Sequence, residues 1–160
     1  MSTDEIAGSP GFRDLSESEM RRLLEENEVG RMAFSFHDRV DIRPLSFKYA
    51  DGWIFGRTSP GDKLLTIEHN RWVAFAVDRL SGPFDWESVV VHGTFHQLHP
   101  DGSPDDRRLY QRGLEVVRAV SGPAFTPLDP VPFRTEMFGI SINSMTGRAC
   151  YQTRSADVVE

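Results

Sequence analysis

The sequence predicts a mainly β fold, an antiparallel barrel with a few helices packed against it. Two observations favour this class. Apolar or alternating runs follow one another through short turns such as Asp51-Gly52, which is a strong hairpin signal. No Gly-x-Gly-x-x-Gly element follows any of these runs, so the usual dinucleotide fingerprint of a doubly wound parallel sheet is missing.

The first helix is predicted from a signal at its N-terminus. Ser16 and Glu19 have the spacing of a capping box, in which each side chain accepts a hydrogen bond from the other residue's backbone N–H. Met20, Leu23 and Leu24 then place apolar side chains on one helical face. Gly30 is expected to end the helix, because glycine commonly follows the last helical residues.

Two further helices are predicted from proline and acidic residues near their starts. One covers about residues 60–69, with Ser59 as its cap and Pro60 in its first turn. The other begins at Ser103, with a proline and two aspartates in its first turn. In the helix that begins at Ser103, apolar residues recur at steps of three and four as far as Val120.

Runs of alternating or continuous apolar residues predict six strands. In chain order they cover residues 32–36, 40–49, 53–57, 72–77, 86–98 and about 136–145. The fourth run is apolar on both faces and is therefore expected to be central in the sheet. Residues 146–148 contain a glycine and are predicted to turn the chain.

The length of 160 residues indicates one domain with its own core. We expect residues 15–153 to form that domain, residues 1–14 to be disordered or loosely attached, and residues 154–160 to be a flexible tail. A net charge of −6 argues against nucleic-acid binding. One cysteine, no signal peptide and no membrane-spanning run favour the cytoplasm.

Residues 57–64 are the strongest candidate for a ligand site. A strand ends there and a helix is predicted to begin, and a helix start presents unpaired N–H groups to an anion. Arg57, Lys63 and the hydroxyls of Thr58 and Ser59 would surround a phosphate at that point. An ordinary capped helix with solvated charges would account for the same residues.

Two histidines and a tryptophan are further candidates for a functional role. His92 and His96 share one face of a predicted strand and could bind a metal or haem iron. No cysteine or carboxylate nearby completes a ligand set, so barrel histidines without a metal are the preferred interpretation. Trp86 could cover a flat ring, although tryptophans more often fill a core or an interface. No catalytic side chain is predicted.

Several short motifs recur in a fixed order between Leu15 and Arg148. They cover residues 29–34, 43–49, 54–58, 61–64, 69–75, 86–93 and 142–148. Their order and spacing resemble the flavin-binding split-barrel family, which includes pyridoxamine 5′-phosphate oxidase and the nitroimidazole-resistance proteins. The chain is more similar to the nitroimidazole-resistance branch.

This resemblance implies a six-stranded antiparallel split β-barrel and a homodimer that holds FMN between its subunits. It implies that one strand lies along the isoalloxazine and ribityl chain, and that a second strand end and a lysine bind the phosphate. The cofactor-binding residues it implies are Arg43, Pro44, Leu45, Ser46, Phe47, Lys48, Gly56, Arg57, Thr58, Ser59, Lys63, Trp86 and Ser88.

Two departures from the family pattern limit what the resemblance implies. The chain has no C-terminal Arg-Leu-His-Asp-Arg-like stretch, which binds substrate in pyridoxamine 5′-phosphate oxidases, so vitamin oxidation is not expected. Asp62 stands where some relatives have a basic residue, which could weaken phosphate binding or favour another cofactor.

The sequence therefore predicts an FMN-dependent oxidoreductase that reduces a small electrophile such as a nitroaromatic or a quinone. Two alternatives keep the same fold. One is a protein that binds a deazaflavin coenzyme or haem, and the other is a flavin-binding or sensor module without turnover.

Overall fold

The computed structural model describes residues 8–62, 64–65 and 71–153. These residues form two helices and an eight-stranded antiparallel sheet. The elements in chain order are β1 Pro10–Asp14, α1 Glu17–Glu26, β2 Val29–Phe36, β3 Arg39–Ser46, β4 Lys48–Ala50, β5 Trp53–Thr58, β6 Trp72–Gly82, β7 Asp85–Leu98, α2 Pro104–Val120 and β8 Glu136–Gln152.

The sheet confirms the predicted mainly β, antiparallel split barrel. Its strand order is β3-β2-β6-β7-β8-β5-β4, and β1 pairs with β8 beside this path. The sheet does not close on itself, because β3 and β4, at the two ends of this path, are not paired with each other. Eight strands replace the predicted six, since the run 40–49 divides into β3 and β4 at Phe47 and β1 is added.

Two apolar clusters hold the helices against the sheet. The larger one lies inside the barrel, where Phe47 meets Phe75 edge-on and Phe95 stacks on Phe138. α1 covers it with the face predicted from its sequence, since Met20, Leu23 and Leu24 are all buried. The smaller cluster joins α2 to β5, β7 and β8 through Phe55, Leu98, Val116, Val117, Ala124 and Met137.

The capping box predicted at the start of α1 has its expected geometry. The Glu19 N–H donates to Ser16 Oγ at 3.2 Å, and the Ser16 N–H donates to the Glu19 carboxylate at 3.1 Å. Ser103 and Asp106 make the same reciprocal pair at the start of α2. α1 ends at Glu26 with Asn27 as its C-cap, and Gly30 lies in β2, where an added Cβ would fall 2.3 Å from the Phe75 ring.

The helix predicted to begin at Pro60 is absent there. Gly61 has φ +75° and the Asp62 N–H donates to the Ser59 carbonyl at 3.2 Å, so Pro60-Gly61 forms the centre of a β-turn. Asp62 then accepts the Leu64 N–H at 3.0 Å and caps a short 3-10 turn. The prediction was wrong because a proline–glycine pair suits a turn as well as a helix start. Residues 66–69 lie outside the described residues.

The C-terminal strand is longer than predicted. Residues 146–148 were expected to turn, but they continue β8 and pair with β7 as far as Trp86↔Cys150. Gly147 lets α1 approach instead, because an added Cβ would lie 2.8 Å from Met20. The extension also pairs with Pro10–Asp14, so the expectation of a loose N-terminal segment is wrong for those five residues.

Three sequence expectations concern residues that the structure does not describe. They are the loose segment over residues 1–7, the phosphate-binding role of Lys63 and the flexible tail at 154–160. Across the described ranges, no helix has the length and apolar character needed to cross a membrane.

Candidate functional site

The ends of β3 and β5 and the loop that precedes β8 enclose an open cleft of about 420 Å³, within the usual size range of small-molecule sites. We call it the β3–β5 cleft. Its walls are Val29, Arg43, Pro44, Leu45, Ser46, Arg57, Thr58, Ser59, Asp62, Phe133 and Arg134. Seven of these were predicted from the sequence as cofactor-binding residues: Arg43, Pro44, Leu45, Ser46, Arg57, Thr58 and Ser59.

Local sequence explains why these two strand ends meet. Asp51 and Gly52 have φ of 55° and 77°, the left-handed pair of a tight hairpin turn, and they return β5 antiparallel to β4. The Phe47 N–H donates to the Glu28 carbonyl at 2.9 Å and fixes the bend between β3 and β4. At Gly56 an added Cβ would lie 2.9 Å from the Ser46 carbonyl, so only glycine allows the two strands to approach this closely.

Asp62 links the ends of β3 and β5 through side-chain hydrogen bonds in the cleft. Its carboxylate accepts hydrogen bonds from the Arg43 guanidinium, the Thr58 hydroxyl at 2.7 Å and the Leu64 N–H at 3.0 Å. Burial by itself raises the pKa of Asp62, but these three donors hold it below its ordinary value of 3.8. The carboxylate is therefore ionised at neutral pH, and it balances the charge that Arg43 brings to the cleft.

Arg57 lies in a buried ion pair behind the cleft wall. Its guanidinium donates to both oxygens of Asp129, at 2.7 and 3.1 Å, and the two side chains are 7% and 2% exposed. It also lies 4.8 Å from the centre of the Phe125 ring. The Arg57 hydrogen bonds hold the pKa of Asp129 well below its ordinary value, against the opposing effect of burial. Direct phosphate binding by Arg57 stays a prediction, and its charge is already balanced by Asp129.

A second, smaller compartment of about 240 Å³ adjoins the β3–β5 cleft. It includes the predicted residues Phe47, Lys48 and Gly56, and its remaining wall is mostly apolar, from β5, α2 and the loop. Arg134 lines both compartments. Sequence reasoning missed this residue, because it follows a proline-rich loop and no motif marks it.

Trp86 and Ser88 do not line the β3–β5 cleft. Both lie on β7, and β2 and β6 separate that strand from β3 in the sheet. The Trp86 ring meets Phe12 edge-on, with 6.3 Å between their centres. Within one chain, the structure therefore leaves these two predicted cofactor contacts away from the other predicted residues.

A separate cavity of about 230 Å³ lies between β7 and the start of α2. His96 lines it and shares a hydrogen bond of 3.2 Å with the Ser141 hydroxyl. Burial, helped by the positive charge of Arg71, lowers the pKa of His96. The imidazole is therefore neutral at pH 7. His92 is exposed on the same strand and does not line this cavity.

Comparisons with known proteins identify relatives of this chain. An uncharacterized protein from Rhizobium meliloti is 22% identical over 143 residues, which cover 86% of this chain and 94% of the relative. The structure of a FAD-binding protein from Mesorhizobium loti has 26% identity and a TM-score of 0.66, covering 86% of this chain and 96% of that one.

A candidate 5-nitroimidazole antibiotic resistance protein from Bacteroides thetaiotaomicron shares the fold. It has a TM-score of 0.66 at 13% identity, covering 91% of this chain and 92% of that one. A family model described as pyridoxamine 5′-phosphate oxidase matches residues 16–149, which include both strands of the β3–β5 cleft and the loop beside it. The chain therefore belongs to the pyridoxamine 5′-phosphate oxidase family.

Proposed function

We propose that this protein is an FMN-binding oxidoreductase that reduces a small electrophile, such as a nitroaromatic or a quinone. The observation that carries the proposal is the β3–β5 cleft itself. In a chain of the pyridoxamine 5′-phosphate oxidase family, it gathers seven residues expected to contact the cofactor. The similar Mesorhizobium loti protein is named for FAD binding, which supports a flavin as the class of cofactor.

The chemistry of the cleft fits a ligand that is flat at one end and anionic at the other. Pro44, Leu45 and Phe133 offer apolar surface for a ring. Ser46 and Arg134 offer a hydroxyl and a guanidinium to a phosphate, and neither side chain has a hydrogen-bond partner within the described ranges. A bound flavin would supply the hydride and electron transfer, while the protein holds and orients it.

We also propose that the protein acts as a homodimer, with the cofactor between the subunits. A two-fold axis could bring Trp86 and Ser88 of each copy to the β3–β5 cleft of the other, so that the dimer has two equivalent sites. Exposed apolar side chains lie at or near both regions, and contiguous apolar patches commonly mark an interaction surface. Phe12, Leu80 and Phe84 lie near Trp86, and Val29, Ile42 and Phe133 lie at or near the cleft.

The absorption spectrum of the purified protein tests the cofactor. We expect the two visible bands of an oxidised flavin, and mass spectrometry of the released cofactor should identify FMN. Release of FAD would correct the cofactor and keep the flavoprotein. A Soret band, a deazaflavin spectrum, or no uptake of added FMN would contradict the proposal.

Turnover needs a separate experiment. Anaerobic NADH or NADPH should bleach the bound flavin, and addition of a nitroaromatic or a quinone should restore its colour. Failure with all donors and acceptors would indicate a binding module. Light scattering should give twice the chain mass of 18.1 kDa at micromolar concentration, and a monomer would contradict a shared site.

A further inference from the structure

Three arginines line the β3–β5 cleft, and their surroundings differ. Arg43 is paired with Asp62, and Arg57 is paired with Asp129. The guanidinium of Arg134 has no acceptor in the part of the chain that the structure describes. An ion pair that is already satisfied offers little net charge to an incoming anion, whereas an unpaired guanidinium keeps its charge and its five donors.

The backbone of Arg134 is nevertheless held firmly. Its N–H donates to the Val131 carbonyl at 3.0 Å, and its carbonyl accepts a hydrogen bond of 3.4 Å from Arg57. The Val131 N–H in turn donates to the Asp129 carboxylate at 3.0 Å. The buried Arg57–Asp129 pair therefore holds the backbone at Val131 and at the Arg134 carbonyl, while the Arg134 side chain lies at the boundary of the two compartments.

A hydrogen-bonded backbone, and a half-buried guanidinium without an acceptor among the described residues, are the arrangement expected of an anion-binding residue. Guanidinium groups bind phosphate through two parallel hydrogen bonds, and less entropy is lost when the group is already placed. Lys48 brings a second positive charge to the adjoining compartment, and this ammonium also lacks an acceptor among the residues described.

We propose that Arg134 binds the phosphate of the cofactor in the β3–β5 cleft, and that the Arg57–Asp129 pair positions it. The inference rests on the proposed function for the identity of the ligand. It assigns the phosphate contact to the loop before β8, and it changes the role of Arg57 from a ligand contact to a positioning residue.

Paired titrations of FMN and riboflavin test the assignment, because riboflavin lacks only the phosphate. We expect Arg134→Gln to raise the Kd for FMN about tenfold or more and to leave the Kd for riboflavin unchanged. Arg134→Lys should recover part of the loss. Arg107→Gln removes an exposed charge on α2, away from the cleft, and should behave as the wild-type protein.

The positioning role of the Arg57–Asp129 pair is measured by the same comparison of FMN with riboflavin. Asp129→Asn should lower the preference for FMN over riboflavin in protein that is still folded, whereas a purely structural role would weaken both ligands equally. If Asp129→Asn does not fold, Arg57→Lys gives the same comparison with the charge retained. An unchanged FMN-to-riboflavin ratio in Arg134→Gln would overturn the proposal.

Failure of the proposed function can be recognised separately. If the wild-type protein binds neither flavin, the flavoprotein proposal fails, and inorganic pyrophosphate then tests Arg134 alone. Stabilisation of the wild-type protein by pyrophosphate in a thermal melt, lost in Arg134→Gln and kept in Arg107→Gln, would support an anion site at Arg134. No stabilisation of the wild-type protein would overturn it.

Discussion

Arg57 and Arg134 line the same cleft but differ in their surroundings. Arg57 is 7% exposed and is paired with the Asp129 carboxylate, which also accepts hydrogen bonds from two backbone N–H groups of the loop. Arg134 lies one hydrogen bond away and has no carboxylate partner in the described residues. The difference lies in charge balance: Asp129 already neutralises the Arg57 guanidinium, whereas the charge of Arg134 is not balanced by any described carboxylate, and this is why the phosphate contact is proposed at Arg134.

The largest expected effect comes from breaking the buried pair. Asp129→Asn leaves the Arg57 charge buried without its partner, and we expect the melting temperature to fall by roughly 5–15 °C. Asp105→Asn removes an exposed carboxylate that pairs with Arg108 on the surface of α2, and it should have almost no effect. Thermal unfolding followed by circular dichroism makes the measurement, and equal melting temperatures for both variants would contradict the account.

Acid should destabilise the protein by protonating the carboxylates of Asp129 and Asp62. The pKa values of Asp129 and Asp62 are lower in the folded protein than their ordinary value of 3.8. Their contribution to stability is therefore fully present above that value, and it is lost as the pH falls through the folded pKa values. Urea unfolding at pH 7 and pH 3 should show a smaller loss in Asp129→Asn than in the wild-type protein, and identical losses would argue against this pair.

Lys63 is the competing candidate for the phosphate contact, because the family resemblance assigns the phosphate to this lysine. Lys63→Ala should weaken FMN binding by about 1.5–3 kcal/mol if its ammonium contacts the phosphate. Isothermal titration with FMN and riboflavin, beside Arg134→Gln, would rank the two cations. An unchanged FMN affinity in Lys63→Ala would remove Lys63 from the site and leave Arg134 as the candidate.

The smallest effect concerns the turn that leads into the cleft. Gly61 has φ +75°, and no described residue lies within 4 Å of an added Cβ, so Gly61→Ala is expected to cost mainly backbone strain, about 1 kcal/mol. Gly82 has equally open space and no such φ, so Gly82→Ala is a matched control that should be neutral or slightly stabilising. Denaturant unfolding compares them, and equal stabilities would contradict the assigned turn.

The parts of the fold that could be predicted depend on neighbours in sequence. The two capping boxes and the Asp51-Gly52 hairpin turn involve residues no more than three positions apart, so their signals are readable. The turn at His37-Asp38 was missed, because it reaches φ of 49° and 61° without a glycine. β1 and the C-terminal part of β8 were missed, because each depends on pairing with a strand that is distant in sequence.

The candidate site shows the same limit. The ends of β3 and β5 were predicted through their motifs, and the structure brings them together. The partner of Arg57 lies 72 positions away and Arg134 lies 77 positions away, in a loop without any recognisable pattern. Charge balance inside a site depends on such distant pairs, so spacing alone could not separate Arg57 from Arg134.

A crystal structure of the protein grown with FMN would show directly whether Arg134 binds the cofactor phosphate. We expect the flavin in the β3–β5 cleft, with its phosphate within hydrogen-bonding distance of the Arg134 guanidinium and with the Arg57–Asp129 pair intact. A flavin seated elsewhere, such as the cavity beside His96, or a phosphate bound by Arg57 with Asp129 displaced, would contradict this proposal.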